Sequence, residues 1–139
     1  MTTVFVDTAA LVALGNRQDQ WHAQAVQLSR QLTLSGCRFV TTDAVLLEVG
    51  NTFSRAAYKP VALRLIDTAR QSPRWTCVAL DRDLLDRGLE LFRQVADKDW
   101  SLTDSISVVV AREQAIDQVF TTDRHFTQAG LQILLGQSS

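Results

Sequence analysis

The chain has 139 residues, 46% of them hydrophobic and 21% charged, with a net charge of −1. This suits one globular domain over 1–139 that buries a core unaided, and it excludes a broad basic field for nucleic acid. No apolar run approaches the roughly 18 residues of a membrane span. The start MTTVFVD lacks the basic segment of a signal peptide, and Cys37 and Cys77 read as reduced core thiols of a cytoplasmic protein.

Thr3–Val6 (TVFV) is a predicted first strand, and Asp7 follows it directly. A helix runs from Thr8 through Leu14, where Gly15 and Asn16 close it. Trp21, Ala25, Leu28 and Leu32 keep helical spacing, which predicts an amphipathic helix over 19–34 ending near Gly36. Arg38–Thr41 is the second strand. Ala44–Ala57 reads as a helix, and Pro60 opens another that reaches about Gln71. Trp75–Leu80 is the third strand, after which Leu84, Gly88, Leu91, Phe92 and Val95 line one face of a helix. Residues 103–114 carry the β-branched run Val108–Val110, but their length and polar flanks favour a helix. Gln118–Thr121 and Gln132–Leu135 complete the strands. Strands alternating with helices of this length predict an α/β fold, with a mostly parallel sheet and helices on both faces. Functional groups in such folds collect beyond the carboxyl ends of the strands.

The kind of charge is more informative than its sum. Twelve of the fourteen basic residues are arginine, whose planar fork suits phosphate. Twelve of the fifteen acids are aspartate, a good helix cap and a good metal ligand. Asp7 and Asp123 each follow a strand, so each has an ordinary reading as a cap. Ser101-Leu-Thr-Asp104 fits a capping box opening the apolar helix. Asp43 and Asp81 occupy similar junctions and read as caps. Glu48 is different, because it lies mid-helix between Leu47 and Val49. Ala44, Glu48, Asn51 and Arg55 share one stripe of that helix, which is either a solvated face or a buried acid needing a partner. Were the four acids to converge, each pair about 5 Å apart would repel by roughly 3 kcal/mol at an effective dielectric near 20. A bound cation or proton uptake would then be required. Oxygen ligands with few histidines point to Mg²⁺ or Mn²⁺.

The ordered series VFVDTAALVAL, LLEVGN, WSLTDSISVVVA and VFTTDRHF resembles the PIN-domain nucleases, and within them the VapC-type toxins of bacterial toxin–antitoxin pairs. The resemblance covers residues 3 to about 135. It implies a three-layer α/β/α fold with strand order 3-2-1-4-5, which makes the first and fourth strands neighbours. By motif, Asp7, Glu48 and Asp104 would be the core acids holding Mg²⁺ or Mn²⁺, with Asp123 as the fourth. Thr8, Asn51 and Thr121 stand beside them, where the family often has supporting hydroxyl or amide groups. The implied activity is metal-dependent endoribonuclease cleavage of RNA that leaves a 5′ phosphate and a 3′ hydroxyl. On charge grounds Arg55 and Arg124 are candidates to hold neighbouring phosphates, and both read equally as ordinary surface arginines. The implied partners are a cognate antitoxin and a second copy in a homodimer. Trp21, Tyr58 and Trp100 are contact candidates if exposed, although burial in the core is the commoner fate of a tryptophan. The alternative is a PIN-like RNA- or protein-binding module that does not cut. His22 and His125 read as structural. Asp97 and Asp99 read as solvated loop acids. A haloacid-type phosphatase is disfavoured, because position 9 is Ala and no lysine follows Lys98.

Overall fold

Val4, Phe5 and Val6 are completely buried, an unbroken apolar run of the kind a central parallel strand requires. The structure, a computed structural model, describes residues 2–136. The elements are β1 (Thr3–Val6), α1 (Thr8–Gly15), α2 (His22–Leu34), β2 (Arg38–Thr42), α3 (Asp43–Thr52) and α4 (Lys59–Gln71). They continue with β3 (Trp75–Val78), α5 (Arg82–Gln94), α6 (Leu102–Glu113), β4 (Gln118–Phe120), α7 (His125–Gln128) and β5 (Gln132–Ile133). The five strands form one parallel sheet in the order β3-β2-β1-β4-β5. Phe5 is level with Val40 on one side and with Val119 on the other.

Strand order runs outward from β1 through β2 to β3, then returns to the other flank of β1 as β4. Right-handed crossovers therefore place α1–α4 over one face and α5 and α6 over the other. The reversal leaves a crevice beyond the carboxyl ends of β1 and β4, where neighbouring loops diverge. No helix among the described residues is long and apolar enough to cross a membrane. Cys37 and Cys77 are free thiols, Cys37 buried and Cys77 half-buried.

Several boundaries differ from the sequence reading for physical reasons. The first turn of the expected second helix is unwound, because the Asp19 carboxylate accepts the Trp21 N–H at 2.8 Å and makes a tight turn there. The helix expected over 44–57 stops at Thr52, where Phe53 turns into the core as its C-cap. Asp43 is not the cap of that helix. Thr42 caps it, and Asp43 instead accepts hydrogen bonds from the Cys77 thiol at 3.3 Å and the Leu80 N–H at 3.1 Å. Burial and the Asp43 carboxylate push the Cys77 thiol up to about 12, so it stays protonated. Asp81 does cap α5, accepting from Leu84. Phe92 does not join the buried face of α5, being 41% exposed. Trp100 is buried, with its indole N–H donating to Gln128, and is unavailable as a contact surface.

Gly88 lets α5 lie close against α6, the helix that presents Asp104. A Cβ at position 88 would stand 2.5 Å from Cγ1 of Ile106, which is itself buried. Gly88→Ala therefore lowers stability by about 1–3 kcal/mol through overpacking, despite alanine's better helix propensity. A urea unfolding midpoint measures this. An unchanged or higher midpoint would show that α5 and α6 can separate without cost.

Candidate functional site

Asp7 stands one residue beyond β1 and still belongs to its ladder, since its N–H donates to Phe120 O at 3.2 Å. That bond sets Asp7 beside Thr121, the first residue after β4. Asp7 occupies the N-cap position of α1 but makes no side-chain capping bond to it. Its Oδ2 instead accepts the Thr121 hydroxyl at 2.9 Å, and the residue is only 4% exposed. The same Thr121 oxygen accepts the Asp123 N–H at 3.0 Å. One hydroxyl thus orients the acid after β1 and the loop carrying the acid after β4.

Asp104 arrives from the opposite helical layer at the third position of α6. The capping box is complete: Ser101 Oγ accepts the Asp104 N–H at 2.9 Å, and Asp104 Oδ2 accepts the Ser101 N–H at 3.0 Å. Capping immobilises the carboxylate and, among the described residues, leaves Oδ1 without a protein partner. Asp123 is held in the same manner, its Oδ1 accepting the His125 N–H at 2.9 Å. His125 Nδ1 then lies 3.1 Å from Asp123 Oδ1 and 3.2 Å from Asp104 Oδ2. Asp104, Asp123 and His125 each offer a donor atom within 4.8 Å of the others.

Burial weighs most on Asp7, the least exposed of the three aspartates. The Asp7 carboxyl is pushed up from 3.8 to about 7, chiefly by burial, with the charges of Asp104 and Asp123 pushing the same way. The Thr121 hydroxyl and the Thr8 backbone N–H pull it down without cancelling the rise. Among the described residues, no lysine or arginine pairs with any of these three aspartates. Glu48 joins the site from a third direction, α3. The Thr8 hydroxyl, next to Asp7, donates to Glu48 Oε1 at 2.5 Å.

Asp7, Asp104 and Asp123 are thus gathered at the carboxyl ends of β1 and β4, with Thr121 bridging two of them and Thr8 tying in Glu48. Glu48 is half-buried rather than enclosed, because its neighbour Leu47 is 63% exposed. Asn51 is exposed and makes no side-chain hydrogen bond to the acids among the described residues. Arg55 lies in the exposed turn after α3 and does not share a helical stripe with Glu48. Arg124 is exposed at the start of α7, next to Asp123. His22 is structural as expected, its Nδ1 lying 2.7 Å from Ala13 O and joining α2 to α1. Asp97 and Asp99 are exposed loop acids.

His125, read from the sequence as structural beside Phe126, places its imidazole against both Asp123 and Asp104. The local signal for its position is the Asp-x-His spacing in TDRHF, which lets the imidazole fold back over the acid two residues earlier. The other half of the arrangement, the Asp104 contact, bridges 21 residues and has no local signature.

A chain with this parallel sheet and acids from β1, α6 and β4 at its switch point has a counterpart in known sequences. The family profile described as the PIN domain matches residues 4–131, and the chain belongs to that family. It is similar to the 23S rRNA-specific endonuclease VapC20 of Mycobacterium tuberculosis, at 27% identity over 129 residues, which cover 91% of this chain and 94% of the relative. The crystal structure of VapC20, described as a sarcin–ricin loop cleaving toxin, matches with a TM-score of 0.82 at 25% identity. That match covers 95% of this chain and 98% of the other. VapBC2 from Rickettsia felis, bound to a DNA fragment from its promoter, matches at TM-score 0.66 and 14% identity, covering 96% and 98%. FitAcB from Neisseria gonorrhoeae matches at 0.65 and 14%, covering 94% and 96%. These last two likenesses concern the fold alone.

Proposed function

We propose that this chain is a Mg²⁺- or Mn²⁺-dependent endoribonuclease that hydrolyses RNA phosphodiester bonds, and that it is the toxin of a type II toxin–antitoxin pair. The observation that supports this most is that Asp104, Asp123 and His125 offer donor atoms within 4.8 Å of one another, with buried Asp7 joined to the Asp123 loop through Thr121 and, among the described residues, no lysine or arginine paired with any of the three aspartates. The donor set fits a hard divalent ion: oxygen atoms predominate, and each of the three carboxylates has one oxygen fixed by a hydrogen bond. Such an ion, when bound, supplies Lewis-acid charge at the phosphate and makes water nucleophilic near neutral pH.

The chain's own residues supply position. Thr121 holds Asp7 and the Asp123 loop in register, the Ser101 capping box holds Asp104, and Thr8 holds Glu48. Arg124 beside the acids and Arg55 on the neighbouring turn would bind flanking phosphates. Because the acids repel bare RNA, substrate affinity depends on prior cation binding. The likeness to VapC20 suggests ribosomal RNA, with the sarcin–ricin loop as the first substrate to try. Leu47, Tyr58 and Leu63, exposed on α3, the following turn and α4, offer apolar area to an antitoxin or a second copy.

The test is cleavage of a sarcin–ricin loop oligonucleotide and of whole ribosomal RNA by the purified chain. Cleavage with Mg²⁺ or Mn²⁺, abolished by EDTA and restored by excess Mn²⁺, is the expected result. Cleavage that survives EDTA would overturn the metal-dependent reading. Binding of RNA without cleavage in any divalent ion would favour the non-cutting module instead.

A further inference from the structure

The acids account for an oxygen-lined cation site, but they leave an imidazole inside it unexplained. His125 Nδ1 is 3.2 Å from Asp104 Oδ2 and 3.1 Å from Asp123 Oδ1. Adjacent ligands of an octahedral ion at about 2.1 Å bond length lie about 3.0 Å apart, so the nitrogen already sits at ligand spacing from both oxygens. The ring is held there. Its backbone N–H is bonded to Asp123 Oδ1, and the next residue, Phe126, is buried and anchors α7. The imidazole is also part-exposed, so an ion can reach it from solvent.

We propose that His125 is a nitrogen ligand of the divalent ion and gives the site a preference for Mn²⁺ over Mg²⁺. The inference rests on the cation site of the proposed function and adds to it a selectivity that carboxylates alone do not supply. Mg²⁺ favours oxygen donors and retains its waters, whereas imidazole is a better ligand for transition metals. Exchanging one oxygen ligand for nitrogen therefore penalises Mg²⁺ more than Mn²⁺. The other nitrogen and sulfur donors described are engaged or buried elsewhere: His22 contacts Ala13 O, Cys77 contacts Asp43, and Cys37 lies in the core. If Nδ1–H only clamps the two carboxylates together, nitrogen remains outside the coordination sphere. That difference is measurable.

The experiment is Mn²⁺ titration of the full chain followed by electron paramagnetic resonance, with electron spin echo envelope modulation on the bound ion and Mg²⁺ competition. Wild-type protein is expected to show nitrogen modulation from a directly bound imidazole. His125→Ala is expected to lose that modulation and to lower the Mn²⁺-over-Mg²⁺ affinity ratio by about tenfold or more. His125→Asp, which restores an oxygen donor, should recover Mg²⁺ binding without the nitrogen signal. Mn²⁺ bound by the wild type with no nitrogen modulation, and with the same ratio in His125→Ala, would overturn the role of His125 and leave the acidic site standing. A wild-type protein that binds no Mn²⁺ would overturn the cation site and this inference together. The wild-type spectrum decides even if a variant fails to fold.

Discussion

Asp7→Asn lowers RNA cleavage by about a thousandfold or more, or about 4 kcal/mol of barrier, while the protein stays folded. Asparagine preserves the shape, and its carbonyl oxygen can still accept the Thr121 hydroxyl that Asp7 Oδ2 accepts at 2.9 Å. What it removes is a negative charge at the point where β1 and β4 diverge. Without that charge, the crevice holds a divalent ion poorly and the ion's geometry is lost. Thr121→Val should cost less, about tenfold, because Thr121 acts through Asp7 and the Asp123 loop. Initial rates in saturating Mn²⁺ measure both, with circular dichroism as the check on folding. Undiminished cleavage by a folded Asp7→Asn protein would remove Asp7 from the chemistry.

The same substitution makes the cation-free protein more stable at neutral and alkaline pH. Folded protein keeps the Asp7 proton until about pH 7, whereas the unfolded chain releases it near 3.8. Between those values the native state binds more protons than the unfolded state, so stability falls as pH rises. This contribution is fully present below about 3.8 and is lost as pH climbs through about 7. A carboxyl held so far above its unfolded value changes stability by on the order of 4 kcal/mol across that window. In EDTA, wild-type stability should therefore decline between about pH 4 and pH 8 relative to Asp7→Asn, as measured by urea midpoints. Mn²⁺ binds the ionised site, so it should raise the wild-type midpoint more at about pH 8 than at about pH 5, with little effect on Asp7→Asn. Parallel pH profiles for the two proteins would contradict this account. Function and stability oppose each other at one side chain, as is common where charge is concentrated for binding.

Which features are legible in the sequence follows from which interactions are local. The buried run Val4–Val6 and the acid directly after it are legible, because strand burial and strand-end position are properties of adjacent residues. The capping box at Ser101–Asp104 is legible for the same reason. Periodicity and spacing establish parallel βαβ units. The order 3-2-1-4-5 comes from the family resemblance, since which strands lie side by side is a long-range matter. The end of α3 falls earlier than expected because Ala56 and Ala57 favour helix, and nothing local announces that Phe53 must turn into the core. That difference takes Arg55 off the stripe it would otherwise share with Glu48. Glu48 is less enclosed than its apolar neighbours suggest, since Leu47 faces solvent. Local composition does not reveal that the Thr8 hydroxyl, forty residues away, is its partner. The place of His125 is hidden on the same grounds, its second carboxylate lying on another helix.

The central claim is that Asp7, Asp104 and Asp123 share a divalent ion, and crystals soaked in Mn²⁺ and recorded at the manganese absorption edge address it most directly. An anomalous peak within about 2.2 Å of oxygens from all three carboxylates is the predicted result. Density at a separate surface position, or none at all with Asp7 still closed on Thr121, would contradict it.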